Sequence, residues 1–308
     1  MANNNVTVFD REMNENIYPL FDPIRVLSKQ MSVESGAKTV SIPTAGLLNY
    51  DDDIRIDSSS YPAAASINQS TEKTFDLTNH EFVPIMIRDY DEFITKPSLR
   101  ASIMNDVMGF LGAYAIRTIF GGFWSTASTF EVGTTGTTSG EAYTNQWNDA
   151  VKNLTLADVR GLAKKLDLQN VPRDNDRYLV LPPEMYSGLM ANLTAAGYVE
   201  TVTEAFRSGL MPKVHGFNVM MLPEVGVSTT GNGVLRTPKT QGGAATDVNF
   251  GFALHKKFVG FAESGVRLFI NENATGYYGA TIEGSIYAGG SFLRATPIGC
   301  ITVFEAAA

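Results

Sequence analysis

The side chains able to do chemistry are few and far apart. The three histidines are His80, His215 and His255. No two of them lie at metal-ligand spacing, and no HExxH is present. Cys300 is the only cysteine. As a nucleophile it would need a distant histidine brought beside it. The segment IGCITVF (298–304) reads instead as an apolar strand with Cys300 as a small core residue. Asp51-Asp52-Asp53 offers the carboxylate oxygens that Ca²⁺ prefers, without the glycine and terminal glutamate of an EF-hand loop. It reads as a solvated or partner-facing loop tip. Asp89, Asp91 and Glu92 could form an acid/base pair, but they precede Pro97, where carboxylates favour the start of a helix. No GxGxxG, Walker A or GxSxG pattern occurs. No catalytic, cofactor-binding or metal residue is assigned, no cofactor is expected, and the chain does not read as an enzyme.

Composition narrows the remaining roles. The 308 residues carry a formal net charge of −8, and 18 % of them are charged. That share is below the roughly 25 % usual in soluble domains. Basic runs stop at pairs, Lys164-Lys165 and Lys256-Lys257, so a DNA-recognition face is not expected. One thiol fits a reducing compartment. The polar start MANNNVTVFDREMNEN lacks a secretory pattern, and no apolar run reaches the 18 or so residues of a membrane span. A soluble protein of the cell cytoplasm, without a membrane partner, is expected.

The elements that must position these residues follow from periodicity. Residues 1–37 read as an extended arm with a short helix near 23–31, since Pro19 and Pro23 break any longer one. The arm has too little core of its own and is expected to lie on a neighbour. Thr39–Ile42 and Lys73–Leu77 alternate as strands around a long polar excursion, which predicts a protruding two-stranded arm. Its tip, the expected subunit interface, holds Asn49, Tyr50, Asp51, Asp52, Asp53 and Tyr61. Glu81–Ile87 is a strand interrupted by Pro84. Leu99, Ile103, Val107, Phe110, Leu111 and Tyr114 mark one face of a helix over 98–120, stopped by Gly121-Gly122. Thr155 and Asp158 form a capping box before a helix carrying Leu156, Val159, Leu162 and Leu166. YLVL (178–181), FNVMML (217–222) and 248–255 read as strands, 184–193 as a helix, and 259–304 as strands separated by glycine turns. The whole is α+β. A large chain with a long helix, extended arms and no chemistry points to a protein whose product is its own assembly.

The order of these elements resembles the tailed-phage major capsid family with the Hong Kong 97 fold. The segments that carry the likeness are KTVSIP (38–43), FVPIMIRDYDEF (82–93) and SLRASIMNDVMGFLGAYAIRTI (98–119). LTLADVRGLAKKLDLQNVPRDNDRYLVLPPEMYSGLM (154–190), KVHGFNVMMLPEV (213–225) and FALHKKFVGFAES (252–264) continue it in the family's order. The resemblance implies an N-terminal arm (1–37), an extended loop with its base strands (38–92) and a peripheral domain on a spine helix (93–153). An axial domain (154–263) and return strands to the peripheral domain (264–308) complete it. It implies a major capsid protein that builds hexamers and pentamers of an icosahedral head around double-stranded DNA. The partners would be a scaffolding protein, a portal, a possible decoration protein and DNA touched without sequence preference. The location would be the virion, assembled in the bacterial cytoplasm. Only 37 residues precede the loop, so scaffolding is expected to be a separate protein. No lysine lies between Ile42 and Glu72, so the Lys–Asn cross-link of some members is not expected. An encapsulin-like shell around a cargo enzyme is the alternative; an enzyme or a tail fibre fits less well.

Overall fold

In this computed structural model the described residues are 22–33, 37–44, 71–88, 99–127, 131–136, 152–196, 213–222, 227–229, 235–236, 247–271, 279–294 and 298–305. They begin with helix α1 (Asp22–Leu27), then strands β1 (Lys29–Gln30), β2 (Thr39–Thr44), β3 (Thr71–Asp76), β4 (Thr78–Glu81) and β5 (Ile85–Arg88). Helix α2 (Leu99–Ala127), strand β6 (Glu131–Gly133), helix α3 (Leu156–Leu168), strand β7 (Arg177–Leu181) and helix α4 (Pro183–Ala195) follow. The chain continues as β8 (Asn218–Met221), β9 (Val227–Thr229), β10 (Leu235–Arg236), β11 (Asp247–His255), β12 (Val259–Asn271), β13 (Gly279–Phe292) and β14 (Cys300–Phe304).

Two sheets share one long helix. In the first, β13 pairs antiparallel with β12 along nearly its whole length and with β4 and β5 on its other edge, while β1 joins β12 in parallel. Pro84 divides the expected strand 81–87 into β4 and β5, because a proline cannot donate to the ladder. Phe82 N–H still reaches Gly284 O at 2.8 Å across the break. Alternation assigns the faces. Ile282, Gly284 and Ile286 face α2, whose Val107 and Leu111 are 1 % and 2 % exposed.

Gly284, Gly289 and Gly290 lie inside β13 rather than at the turns expected from the sequence. A Cβ at Gly284 would stand 2.7 Å from Val107 Cγ1 and 2.9 Å from Leu111 Cδ1. The glycine is there so that helix and sheet can approach closely.

The second sheet has the order β10-β9-β11-β14-β6, with β7 bridging β11 to β8. Its strands alternate between two buried faces. Leu179, Leu181, Ala253, Ile301 and Val303 meet α3 and α4. Val180, Phe250, Phe252, Leu254 and Cys300 meet the second half of α2. Phe120 is fully buried and stacks on Phe252 with ring centroids 5.5 Å apart. This contact explains why α2 runs through Gly121-Gly122 to Ala127 instead of stopping: packing outweighs about 1 kcal/mol of propensity per glycine. β14, from segment 264–308, pairs with β11, from segment 154–263, so both segments share this sheet.

Local chemistry fixes the ends of α3. The Thr155–Asp158 capping box forms as the sequence predicts. Asp158 also accepts from Thr135 N–H and Oγ1 at 3.1 and 2.6 Å, which ties residues 134–136 to the helix start. At the other end Asn170 takes φ 55, Val171 N–H returns to Leu166 O and Asn170 N–H to Asp167 O, a Schellman closure.

The arm departs from expectation at 22–33. Ile24 and Leu27 are each 1 % exposed in the same core as Val107, and β1 extends this chain's own sheet. Two aliphatic side chains and a parallel pairing suffice to hold this stretch on its own subunit. Residues 1–21 lie outside the described residues.

Candidate assembly surfaces

The interface residues named from the sequence, Asn49, Tyr50, Asp51, Asp52, Asp53 and Tyr61, lie outside the described residues. The structure places the root of that loop. β2 and β3 pair from Thr39↔Asp76 to Thr44↔Thr71 as a two-stranded ribbon. Such a ribbon is marginal alone. Here Phe75 and Leu77 are buried beside Ala262, with Met31, Val33, Val40, Ile42 and Tyr287 around them. Gly289 faces the Asp76 carbonyl, where a Cβ would not fit. The root is thus seated on the outer face of the first sheet, opposite α2.

Beyond this seat the outer face is open. Arg267, Phe269 and Glu283 are exposed on it, and Met86 is 62 % exposed. A second apolar strip runs where α2 meets β4. Phe110 and Tyr114, expected in the core, are 46 % and 43 % exposed. The helix face turned to the sheet is instead Val107, Leu111, Ala115 and Ile116. Phe110 packs edge-on against Phe82 and Tyr114 against His80, while Arg117 lies over the Tyr114 ring. Val83, in the break after β4, is 78 % exposed. Such contiguous apolar surface, rimmed by charge, marks protein–protein contact.

The second sheet and its helices carry the charged constellations. Arg177 is 1 % exposed, and its guanidinium donates to Pro172 O at 2.9 Å, to Val171 O and to Asp167 Oδ1 at 2.9 Å. Arg173 also grips Asp167 through Nε and Nη2. The Arg173 hydrogen bond first, and Arg177 after it, hold the Asp167 carboxyl at about 2. His255 is fully buried. Its Nδ1 accepts Lys257 N–H at 3.2 Å, so Nε2 carries the proton and donates to Asp174 Oδ1 at 2.9 Å. Burial lowers the pKa of this imidazole and keeps it neutral, with Asp174 opposing the shift. Lys257 Nζ binds the other Asp174 oxygen at 3.1 Å.

Around these pairs lies a groove of about 610 Å³ beside α3, lined by Arg160, Lys164, Arg173, Arg177 and Lys213 among others. No run of basic residues announces it. The only linear signal is the i, i+4 spacing of Arg160 and Lys164. Lys213 arrives through a tight turn in which His215 and Gly216 take φ 48 and 84.

The sheet end holds one further buried acid. Glu305 is 4 % exposed and accepts Asn249 Nδ2–H at 2.7 Å. Burial pushes its carboxyl up to about 7; the Asn249 bond opposes this and Glu184 adds to it. Cys300 is fully buried and its thiol is pushed far above its ordinary value by burial. Among the described residues, no three His, Cys, Asp or Glu side chains form a metal-binding group, and no helix is long and apolar enough to cross a membrane.

No protein-family description and no curated protein sequence matches the chain. Solved structures do. The capsid of cyanophage P-SCSP1u matches with a TM-score of 0.67 at 16 % identity, covering 99 % of this chain and 94 % of that one. Mycobacterium phage Che8 matches at 0.57 and 14 %, covering 98 % of each. The capsid of Ralstonia phage GP4 matches at 0.55 and 12 %, covering 100 % of this chain and 98 % of that one. The chain has the α+β fold of phage capsid proteins.

Proposed function

We propose that the chain is the major capsid protein of a tailed phage, a structural subunit that closes into an icosahedral head around double-stranded DNA. The observation that carries this reading is the fold likeness, which spans 98 % or more of this chain against three phage structures. The open outer sheet face, the aromatic strip and the anchored loop root supply surface that a lone subunit leaves in water. In this reading 38–92 is the extended loop, whose tip from Asn49 to Tyr61 reaches a neighbour, 93–153 is the peripheral domain and 154–263 the axial domain. The segment 264–308 returns to the peripheral domain, although its last strand also completes the axial sheet. Hexamers and pentamers form in the host cytoplasm with a separate scaffolding protein and a portal. DNA is touched without sequence preference.

Negative-stain microscopy of the purified chain, alone and co-expressed with its scaffolding protein, tests the reading. Closed shells are expected. A stable 33.4 kDa monomer at high concentration in both samples overturns it. Mature particles boiled in SDS should release one band near 33.4 kDa. Cys300 is buried, and the lysines of the described loop root stay at its base: Lys73 pairs with Ile42 in the ribbon and the Lys38 carbonyl accepts Leu77 N–H. A ladder of covalent oligomers would contradict the non-covalent shell.

A further inference from the structure

The groove beside α3 gathers cations that the sequence scatters over more than fifty positions. Its two carboxylates are already engaged. Asp167 is held by Arg173 and Arg177, and Asp174 by His255 and Lys257. Arg160 and Lys164, exposed on α3, have no ion pair with any described residue. Arg173 is held in place by Asp167 yet 72 % exposed, so part of its guanidinium still points to solvent. Five cations against two carboxylates leave the groove three charges positive, so the rest of the chain, whose total is −8, stands at −11.

We propose that this groove is a docking site for carboxylate side chains of a second copy of the chain. The inference rests on the capsid reading and names one contact within it. A second copy brings a net acidic remainder to a groove that is net positive, and arginine forks match carboxylates bidentately. The volume of about 610 Å³ suits a short segment and its side chains. Duplex DNA presents a long row of phosphates and is bound by extended basic faces rather than by a single concavity. The acidic remainder of the chain would also repel it.

The test is zero-length carbodiimide cross-linking of wild-type assemblies made from a mixture of ¹⁴N and ¹⁵N chains. Peptides joining Lys164 or Lys213 of one isotope to an Asp or Glu of the other are expected. The double variant Arg160→Glu/Lys164→Glu, on the exposed face of α3, should keep the wild-type melting temperature and circular dichroism. Its shell yield should fall at least tenfold at low salt. Shells that form without such links, from wild type and variant alike, overturn the groove and leave the capsid reading standing. Interchain links at Lys164 in a protein that builds no shell do the reverse. A labelled DNA duplex that binds wild type and not the double variant reassigns the groove to phosphate and overturns the proposal.

Discussion

The two sheets meet the same helix and solve burial differently. The second sheet is covered on both faces, by α3 and α4 on one and by α2 on the other. Among the described residues, the first sheet is covered by α2 and α1 on its inner face, and on its outer face only where the β2–β3 root sits. The covered half is also the half pinned by oriented charged hydrogen bonds, at Asp158, Asp167 and Asp174. The first sheet carries such a pair in Arg25 with Glu263, and relies besides on close approach, of α2 at Gly284 and of the Asp76 backbone at Gly289. A half that is finished within its own subunit can hold a fixed shape. A half left open on one face keeps surface for neighbours.

The hardest way to break this contrast is at the helix that both sheets share. Val107→Asp buries an unpaired charge against β13 and should cost on the order of 5 kcal/mol, comparable to the stability of a whole domain. Loss of soluble protein or of the cooperative melt is expected, and a near-normal melting temperature would show that the contact is dispensable. Arg177→Ala strikes the second sheet alone. It leaves the Pro172 and Val171 carbonyls unpaired and Asp167 with Arg173 only, at a cost of about 3 kcal/mol, read as a lower denaturant midpoint.

Glu305 gives a pH signature to the same half. Its pKa rises from 4.5 unfolded to about 7 folded. Between these values the native state holds the proton more firmly, so stability is fullest below 4.5 and falls as pH rises through about 7. The loss is on the order of 3 kcal/mol. Glu305→Gln should flatten that fall in urea titrations of the unassembled chain at pH 5 and 8; an unchanged slope would assign it to other groups. Gly284→Ala tests the first sheet. Its Cβ meets Val107 and Leu111, and about 1–3 kcal/mol of overpacking should appear as a lower melting temperature. The smallest effect belongs to the open face. Phe269→Ser should change subunit stability by no more than about 0.5 kcal/mol, while reducing shell yield. Unaltered assembly would mean that the open face is not an interface.

Much of the fold was readable because it is local. The Thr155–Asp158 cap, the α3 stripe and the YLVL strand depend on neighbours within a few residues, and each forms. What could not be read depends on distant partners. Phe110 and Tyr114 share the stripe of Val107, but β13 sits to one side of that stripe and leaves them half in water. Gly121-Gly122 reads as a stop until Phe252 arrives, 132 residues beyond Phe120, to hold the helix past it. The glycines of β13 read as turns because nothing nearby in sequence reveals the helix pressed on Gly284 or the Asp76 backbone pressed on Gly289. Of the candidate surfaces, the loop root was visible as alternation, whereas the basic groove is built from residues 160 to 213 and exists only after folding.

The span of α2 has a mechanical consequence. Its 29 residues make a rod about 43 Å long. Val107 and Leu111 clamp its first half to one sheet, and Phe120 clamps its second half to the other. A rod clamped at two points acts as a lever. A tilt of about 5° about Val107 moves the far end, about 30 Å away, by roughly 3 Å, more than half the distance between neighbouring strands. Neither sheet can rotate without loading the other, so a push delivered at one edge of the subunit is felt at the opposite edge as displacement rather than absorbed as local strain.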